Sequence, residues 1–182
     1  MKKLGFQLLT LAFAMLFTFQ LSAQDKPAAS PLGKVYQRVG VTDVEVSYSR
    51  PSAKGRTIFA DNGLVPFGKL WRTGANGATT ISVSTAVMIG DQKLDAGTYS
   101  ILSIPAANEW TIIFNSDASL RGTGGYSEAK DAVRINVPVS AAPALVETFK
   151  IYFGTVTDTM TELWIAWENT KVKVPISVEK TW

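Results

Sequence analysis

From residue 42 onward, apolar and polar side chains alternate with period two, and no other feature limits the fold as strongly. Val44, Val46 and Tyr48 share one face of a segment whose other face carries Asp43, Glu45 and Ser47. Successive side chains of a strand point to opposite faces, so this is a strand with one buried side. The pattern returns at Ile81 and Val83, at Trp110, Ile112 and Phe114, and at Val133, Ile135, Val137 and Val139. It returns again at Phe149, Ile151 and Phe153, at Leu163, Ile165 and Trp167, and at Val172, Val174, Ile176 and Val178. Residues 98–104 are apolar on both faces, as in a central strand. No useful window keeps helical spacing; the best candidate is a single turn over residues 127–132.

Turn residues separate these runs. Gly90-Asp91 lies between Val87-Met88-Ile89 and Lys93-Leu94, and residues 105–108 precede the Trp110 strand. Asn169-Thr170 reads as a hairpin turn between the last two strands. Short strands joined by short turns predict an all-β fold with mostly antiparallel pairing. The expected architecture is a single antiparallel β-sandwich, jelly-roll-like or immunoglobulin-like, of roughly nine or ten strands. Residues 49–77 break the alternation and are rich in Gly, Pro and basic residues. They are expected to form a long loop with at most short strands near residues 56–59 and 70–73. Such a loop inside a domain is often functional, or else covers a sheet edge.

The N-terminus reads as an address. Met1-Lys2-Lys3 precedes an uncharged, Leu- and Phe-rich run ending at Leu21, and Ser22-Ala23 then precedes polar residues. This order predicts a secretory signal over residues 1–23, a short linker over residues 24–32 and one domain over residues 33–182. The alternative is a membrane anchor, whose apolar run is diluted by Gln7, Thr10, Thr18 and Gln20. After cleavage the expected protein is periplasmic or secreted, with no membrane span.

Of 182 residues, 46% are hydrophobic and 18% charged, a globular composition rather than a disordered one. The chain has no Cys and no His. That excludes Ser-His-Asp and Cys-His nucleophiles, Cys/His zinc sites, His- or Cys-held haem and iron–sulfur clusters. Neither a metal nor a cofactor is expected, and no calcium loop of alternating Asp/Asn is present. The formal charge is +3, of which Lys2 and Lys3 in the leader supply two. Nothing in that balance predicts a nucleic-acid partner.

Charge is nevertheless unevenly placed. Between Val46 and Gly90 lie Arg50, Lys54, Arg56, Lys69 and Arg72, against the single acid Asp61. If they converge they form an anion site, since guanidinium forks match carboxylate and phosphate oxygens. If instead they pair with later acids or with backbone carbonyls, they clamp the loop to the sheet. Trp71, flanked by this charge, is a candidate apolar wall, and Asn76 an orienting amide. Trp164, on the polar face of its strand, is a second aromatic that can stack on a ligand. Carboxylate pairs of the glycosidase kind are not singled out, because no acid sits in an apolar setting.

Two segments in the basic loop carry a resemblance: Ser49-Arg50-Pro51-Ser52-Ala53-Lys54-Gly55-Arg56 and Lys69-Leu70-Trp71-Arg72-Thr73-Gly74-Ala75-Asn76. Gly63-Leu64-Val65-Pro66-Phe67-Gly68, Leu94-Asp95-Ala96-Gly97-Thr98-Tyr99-Ser100, Trp110-Thr111-Ile112-Ile113-Phe114-Asn115 and Trp167-Glu168-Asn169-Thr170-Lys171-Val172 extend it. The chain resembles the bacterial secreted family known as domain of unknown function 2911, over residues 30–179. The resemblance implies an exported, all-β protein, predominantly from Gram-negative bacteria, and no activity to carry over. Phe67 stands where that family commonly has Tyr.

The leading expectation is a binding or accessory module whose site residues are Arg50, Lys54, Arg56, Lys69, Trp71, Arg72 and Asn76. Its partner would be an anionic small molecule or glycan. The alternative is a structural domain contacting an envelope protein, with the basic loop as an internal clamp. A carboxylate-based hydrolase is the third reading.

Overall fold

A computed structural model describes residues 26–180. The expected signal over residues 1–23 lies outside the described residues, as does the start of the linker. Among the described residues there are eleven strands: β1 (Leu32–Val39), β2 (Thr42–Ser49), β3 (Phe59–Ala60), β4 (Val65–Pro66), β5 (Thr79–Val83), β6 (Val87–Ile89), β7 (Gln92–Leu94), β8 (Gly97–Ile104), β9 (Glu109–Asn115), β10 (Asp131–Val156) and β11 (Met160–Ser177). Nine of them form one antiparallel sheet in the order β1-β2-β5-β8-β9-β10-β11-β6-β7. The remaining pair, β3 and β4, is parallel and two residues long. The helical turn expected over residues 127–132 is a 3-10 turn, Glu128–Lys130.

β10 ties the sheet together. Its first part pairs with β9, from Asp131↔Asn115 to Pro138↔Glu109, and its second with β11, from Val139↔Val172 to Val156↔Thr161. Bulges between Ala141 and Lys150 bend it, which lets one strand serve both halves of the sheet. The second half then lies across the core from β2. The Tyr48 hydroxyl donates to the Ile151 carbonyl at 3.0 Å. Phe149 N donates to Pro51 O, and Ala53 N to Glu147 O, both at 2.8 Å. The sheet thus folds over one hydrophobic core in sandwich-like fashion and ends on β1 and β7 without closing into a barrel.

The alternating residues supply that core. Val44, Val46, Ile81, Trp110, Ile112, Phe114, Phe149, Leu163, Ile165 and Trp167 are all buried in it. Each such side chain contributes roughly 1.5–3 kcal/mol of transfer free energy. β8 is buried on both faces, as its composition predicts: Ile101 enters the main core, while Leu102 joins Ile113 and Leu120 in a second cluster on the outer face. The basic loop and the segment leading to the 3-10 turn cover that outer face through Leu70, Ala78 and Tyr126.

Three expectations change. Asn169-Thr170 does not separate two strands, because Thr170 pairs with Ala141 and β11 runs through a bulge at Glu168. The bend there is sharp enough that Val178 N donates to Thr159 O at 2.8 Å and Lys173 reaches Glu162 at 2.9 Å. The domain's first strand begins at Leu32, one residue inside the expected linker. The short strands of the basic loop fall at β3 and β4, while Trp71 makes an isolated bridge to Ser103 instead of a strand.

Trp164 packs rather than lying free. Its ring stacks with Tyr152 at 6.3 Å, and the Lys171 ammonium covers it at 4.5 Å. Glu162 accepts from its indole N–H at 3.1 Å and from Lys173, which holds the Glu162 carboxyl below its ordinary pKa.

Candidate functional site

Two local devices shape the basic loop. The first is the turn 53–56, closed by Arg56 N donating to Ala53 O at 3.1 Å. Its central residues Lys54 and Gly55 have φ of 53° and 70°. Two positive φ values define a type I′ turn, for which glycine suits the second position and lysine is an uncommon first. Glu147 caps the turn by accepting from Lys54 N at 2.8 Å. The second device is the pairing of Trp71 with Ser103, with N–H···O bonds of 2.8 Å in both directions. It seats Trp71 beside β8, where the ladder of β5 has ended. Thr73 follows at φ 54°, fully buried, with its hydroxyl 2.6 Å from that of Ser103 and its carbonyl accepting from the Thr79 hydroxyl. A buried β-branched residue at positive φ is held there only by its surroundings.

These segments enclose a pocket of about 380 Å³. Trp71 and Trp167 form part of its wall, their rings 6.0 Å apart and 19° from parallel. Leu64, Val65 and Pro51 add apolar surface, and Lys54, Arg56 and Arg72 supply positive charge. The pre-strand residues Ala29 and Ser30 complete one side. No carboxylate is among the described residues that line it.

Four of the seven expected site residues therefore converge: Lys54, Arg56, Trp71 and Arg72. The other three lie elsewhere. Arg50 Nε donates to the Phe149 carbonyl at 3.4 Å, fastening β2 to β10. Asn76, at φ 58°, donates to the Ser30 carbonyl at 3.1 Å and to the Ser49 hydroxyl at 3.3 Å, so it holds the N-terminal segment. Lys69 is exposed and does not line the pocket. Trp167 was expected only in the core; it is core, 2% exposed, and pocket wall at once.

The electrostatics are lopsided. Among the described residues, none of Arg50, Lys54, Arg56, Lys69 and Arg72 comes within ion-pair distance of a carboxylate, nor do Lys26, Arg121, Lys150, Lys171 and Lys180, whereas Lys34, Arg38, Lys93, Lys130, Arg134 and Lys173 do. Arg56 bonds backbone instead, with Nε to Ala53 O at 2.9 Å and Nη2 to Ser52 O at 2.7 Å. Among the described residues Arg72 Nε is buried without a partner, as are Trp110 Nε1 and Thr161 Oγ1. Its guanidinium lies against Gly122, where an added Cβ would stand 3.0 Å from Nη1. A buried donor without an acceptor is costly, and neighbouring like charges repel; the carboxylates of Glu147 and Glu168 meet this loop at the backbone N–H groups of Lys54 and Ile58.

Backbone strain gathers here too. Among the described residues, four non-glycine residues have positive φ, namely Lys54, Thr73, Asn76 and Glu168. Three are in the basic loop, and the fourth adjoins Trp167 and accepts from Ile58 N at 3.2 Å. Lys54 gives a direct test. Its exposed side chain carries a left-handed cost of about 1–2 kcal/mol, which glycine removes at a smaller entropic cost. Lys54→Gly is expected to stabilise the fold by about 0.5–1 kcal/mol in denaturant unfolding. A destabilised variant would mean that the lysine side chain serves the fold.

No curated protein and no solved structure matches this chain. The family model described as a protein of unknown function, DUF2911, matches residues 30–176, which include every residue lining the pocket except Ala29, and the chain belongs to that family.

Proposed function

We propose that this protein is an exported binding module whose basic pocket takes an anionic ligand. The observation that carries the reading is the set of three cations, Lys54, Arg56 and Arg72, around an apolar-walled pocket with no carboxylate among its described lining residues. An anion there supplies a counter-charge to Lys54, Arg56 and Arg72, none of which comes within ion-pair distance of a carboxylate among the described residues. It also returns free energy against the strain at Lys54 and Thr73.

A second reading has its own support. Arg50, Arg56 and Asn76 spend donors on backbone carbonyls, which is what a clamp does. Arg72, the cation with a buried unpartnered nitrogen, is the residue on which the two readings part.

A thermal-shift panel of carboxylates, phosphates and acidic and neutral glycans tests the proposal on the purified protein. A ligand at one hundred times its dissociation constant adds about 2.7 kcal/mol. For a domain of this size that raises the midpoint by roughly 5–10 °C. The shift is expected with anions alone and is lost in Arg72→Ala, whose own midpoint stays near that of the parent. No shift across the panel, with Arg72→Ala itself lowering the midpoint, would make the loop a clamp.

A further inference from the structure

The chemistry of the pocket wall narrows the ligand beyond its charge. Sugar hydroxyls are donors as well as acceptors, and a site that reads them presents side-chain acceptors, chiefly Asp, Glu, Asn or Gln. None of these four types is among the described residues lining this pocket. The side-chain hydroxyls available are those of Ser30 and Ser52, and Ser52 Oγ already shares a hydrogen bond with Thr148 at 3.2 Å. Asn76, the one nearby amide, is spent on Ser30 and Ser49.

What the wall does offer is apolar. Trp71 and Trp167 stack on each other and are 8% and 2% exposed, so only a small part of each indole meets the pocket, and Val65 and Pro51 are buried beside them. Leu64 is 47% exposed. It sits in the turn between β3 and β4, where Leu64 N donates to Thr57 O at 3.1 Å and leaves the side chain at the pocket. The cations Lys54, Arg56 and Arg72 complete a surface with an apolar side and a positive side.

We propose that the ligand is an amphiphilic anion, with an apolar body against Trp71, Trp167 and Leu64 and a single carboxylate or phosphate head at Lys54, Arg56 and Arg72, and that the pocket discriminates against polyhydroxylated sugars. This rests on the anion-binding reading above. A polyhydroxylated acid entering the pocket would leave its hydroxyl donors without acceptors, which costs more than the acid head returns.

Isothermal titration of the purified protein with phenylbutyrate, phenyl phosphate, glucuronate and inorganic phosphate tests it. At least one aryl anion is expected to bind about tenfold or more tighter than glucuronate and inorganic phosphate. Comparing phenylbutyrate with phenyl phosphate tells which head group is read. Leu64→Ser, a change at an exposed side chain whose backbone bond is kept, is expected to weaken the aryl anions several-fold and leave inorganic phosphate unchanged. Glucuronate or inorganic phosphate binding as tightly as the aryl anions would overturn this proposal and leave the anion-binding reading standing. Aryl binding indifferent to both Leu64→Ser and Arg72→Ala would place it outside the pocket and overturn it as well. Silence from all four probes would overturn both readings.

Discussion

Trp71→Ala is expected to destabilise the fold by about 3–5 kcal/mol, as aromatic truncation in a packed core does. The indole touches four other aromatic rings: Phe149 at 5.4 Å, Phe59 at 5.7 Å, and Trp110 and Trp167 at 6.0 Å. Three of the four contacts are edge-to-face, each adding about 0.5–1.5 kcal/mol beyond area burial. Its N–H also donates to the Gly74 carbonyl at 3.2 Å, so truncation leaves that acceptor unpaired. For a domain of this size each kcal/mol moves the midpoint by about 2–4 °C, so a fall of roughly 6–20 °C is expected. Trp71→Phe keeps ring contacts and loses only the indole bond and some volume, so it should cost less than half as much. Guanidinium unfolding of both variants measures this. A loss under about 1 kcal/mol for Trp71→Ala would mean that the loop and its tryptophan are peripheral to the core.

Asp131→Ala is expected to cost about 2–3 kcal/mol and to change how the protein responds to alkali. The Asp131 carboxylate is 5% exposed and accepts from Arg134 at 2.8 Å. It also accepts from the Tyr126 hydroxyl and the Asn115 amide, both at 2.7 Å. Truncation takes an acceptor from all three donors, of which Asn115 keeps the Ser127 carbonyl at 3.0 Å and Arg134 keeps Glu128 at 3.4 Å. Arg134 is a third exposed, so water recovers part of the loss and the cost stays under that of a fully buried pair. Burial, followed by the Asp131 hydrogen bond, pushes the Tyr126 phenol up from 10.0 to about 12. Between those pH values the unfolded chain has released the proton and the folded one holds it, so stability falls as pH rises through that window. In Asp131→Ala the Tyr126 titration should move back toward pH 10, read by tyrosinate absorbance. A titration unchanged in that variant would remove Asp131 as a cause of the shift.

This network matters to the pocket because it anchors the segment that contacts Arg72. Asp117, pulled down to about 2 first by the Lys130 ammonium and then by Ser119, secures the other end of the same segment. Gly122, against the Arg72 guanidinium, lies between these two fastenings. Arg72 is thus positioned from both sides while its Nε stays without an acceptor.

Strands with one dry face could be read directly from the sequence: β2, β5 and the two halves of β11 show clean alternation because the core imposes it, while β9 alternates at Trp110, Ile112 and Phe114 and buries Ile113 on its outer face as well. β1 escaped because its inward row, Gly33, Val35 and Gln37, is only half-buried and mixed in character. β10 reads as two separate runs because residues 140–148 cross between the halves of the sheet, largely exposed, with Leu145 facing solvent. β3 and β4 are two residues each, too short for any period to show. The basic loop stood out by composition. Which of its polar side chains converge did not, since bonds to backbone carbonyls draw Arg50 and Asn76 away and hold Arg56 at the pocket, and such bonds carry no sequence signature. Trp167 hid in plain alternation, because the same indole packs in the core and walls the pocket.

The most direct test of the pocket's role is isothermal titration of phenyl phosphate into the parent and into Arg72→Ala, with unfolding midpoints measured on both. A charge-assisted hydrogen bond is worth about 1.5–3 kcal/mol. The account therefore predicts one saturable site in the parent, affinity about 10–100-fold weaker in Arg72→Ala, and equal midpoints. Equal affinity in the two proteins, or an Arg72→Ala protein that binds nothing because it no longer folds, would contradict it.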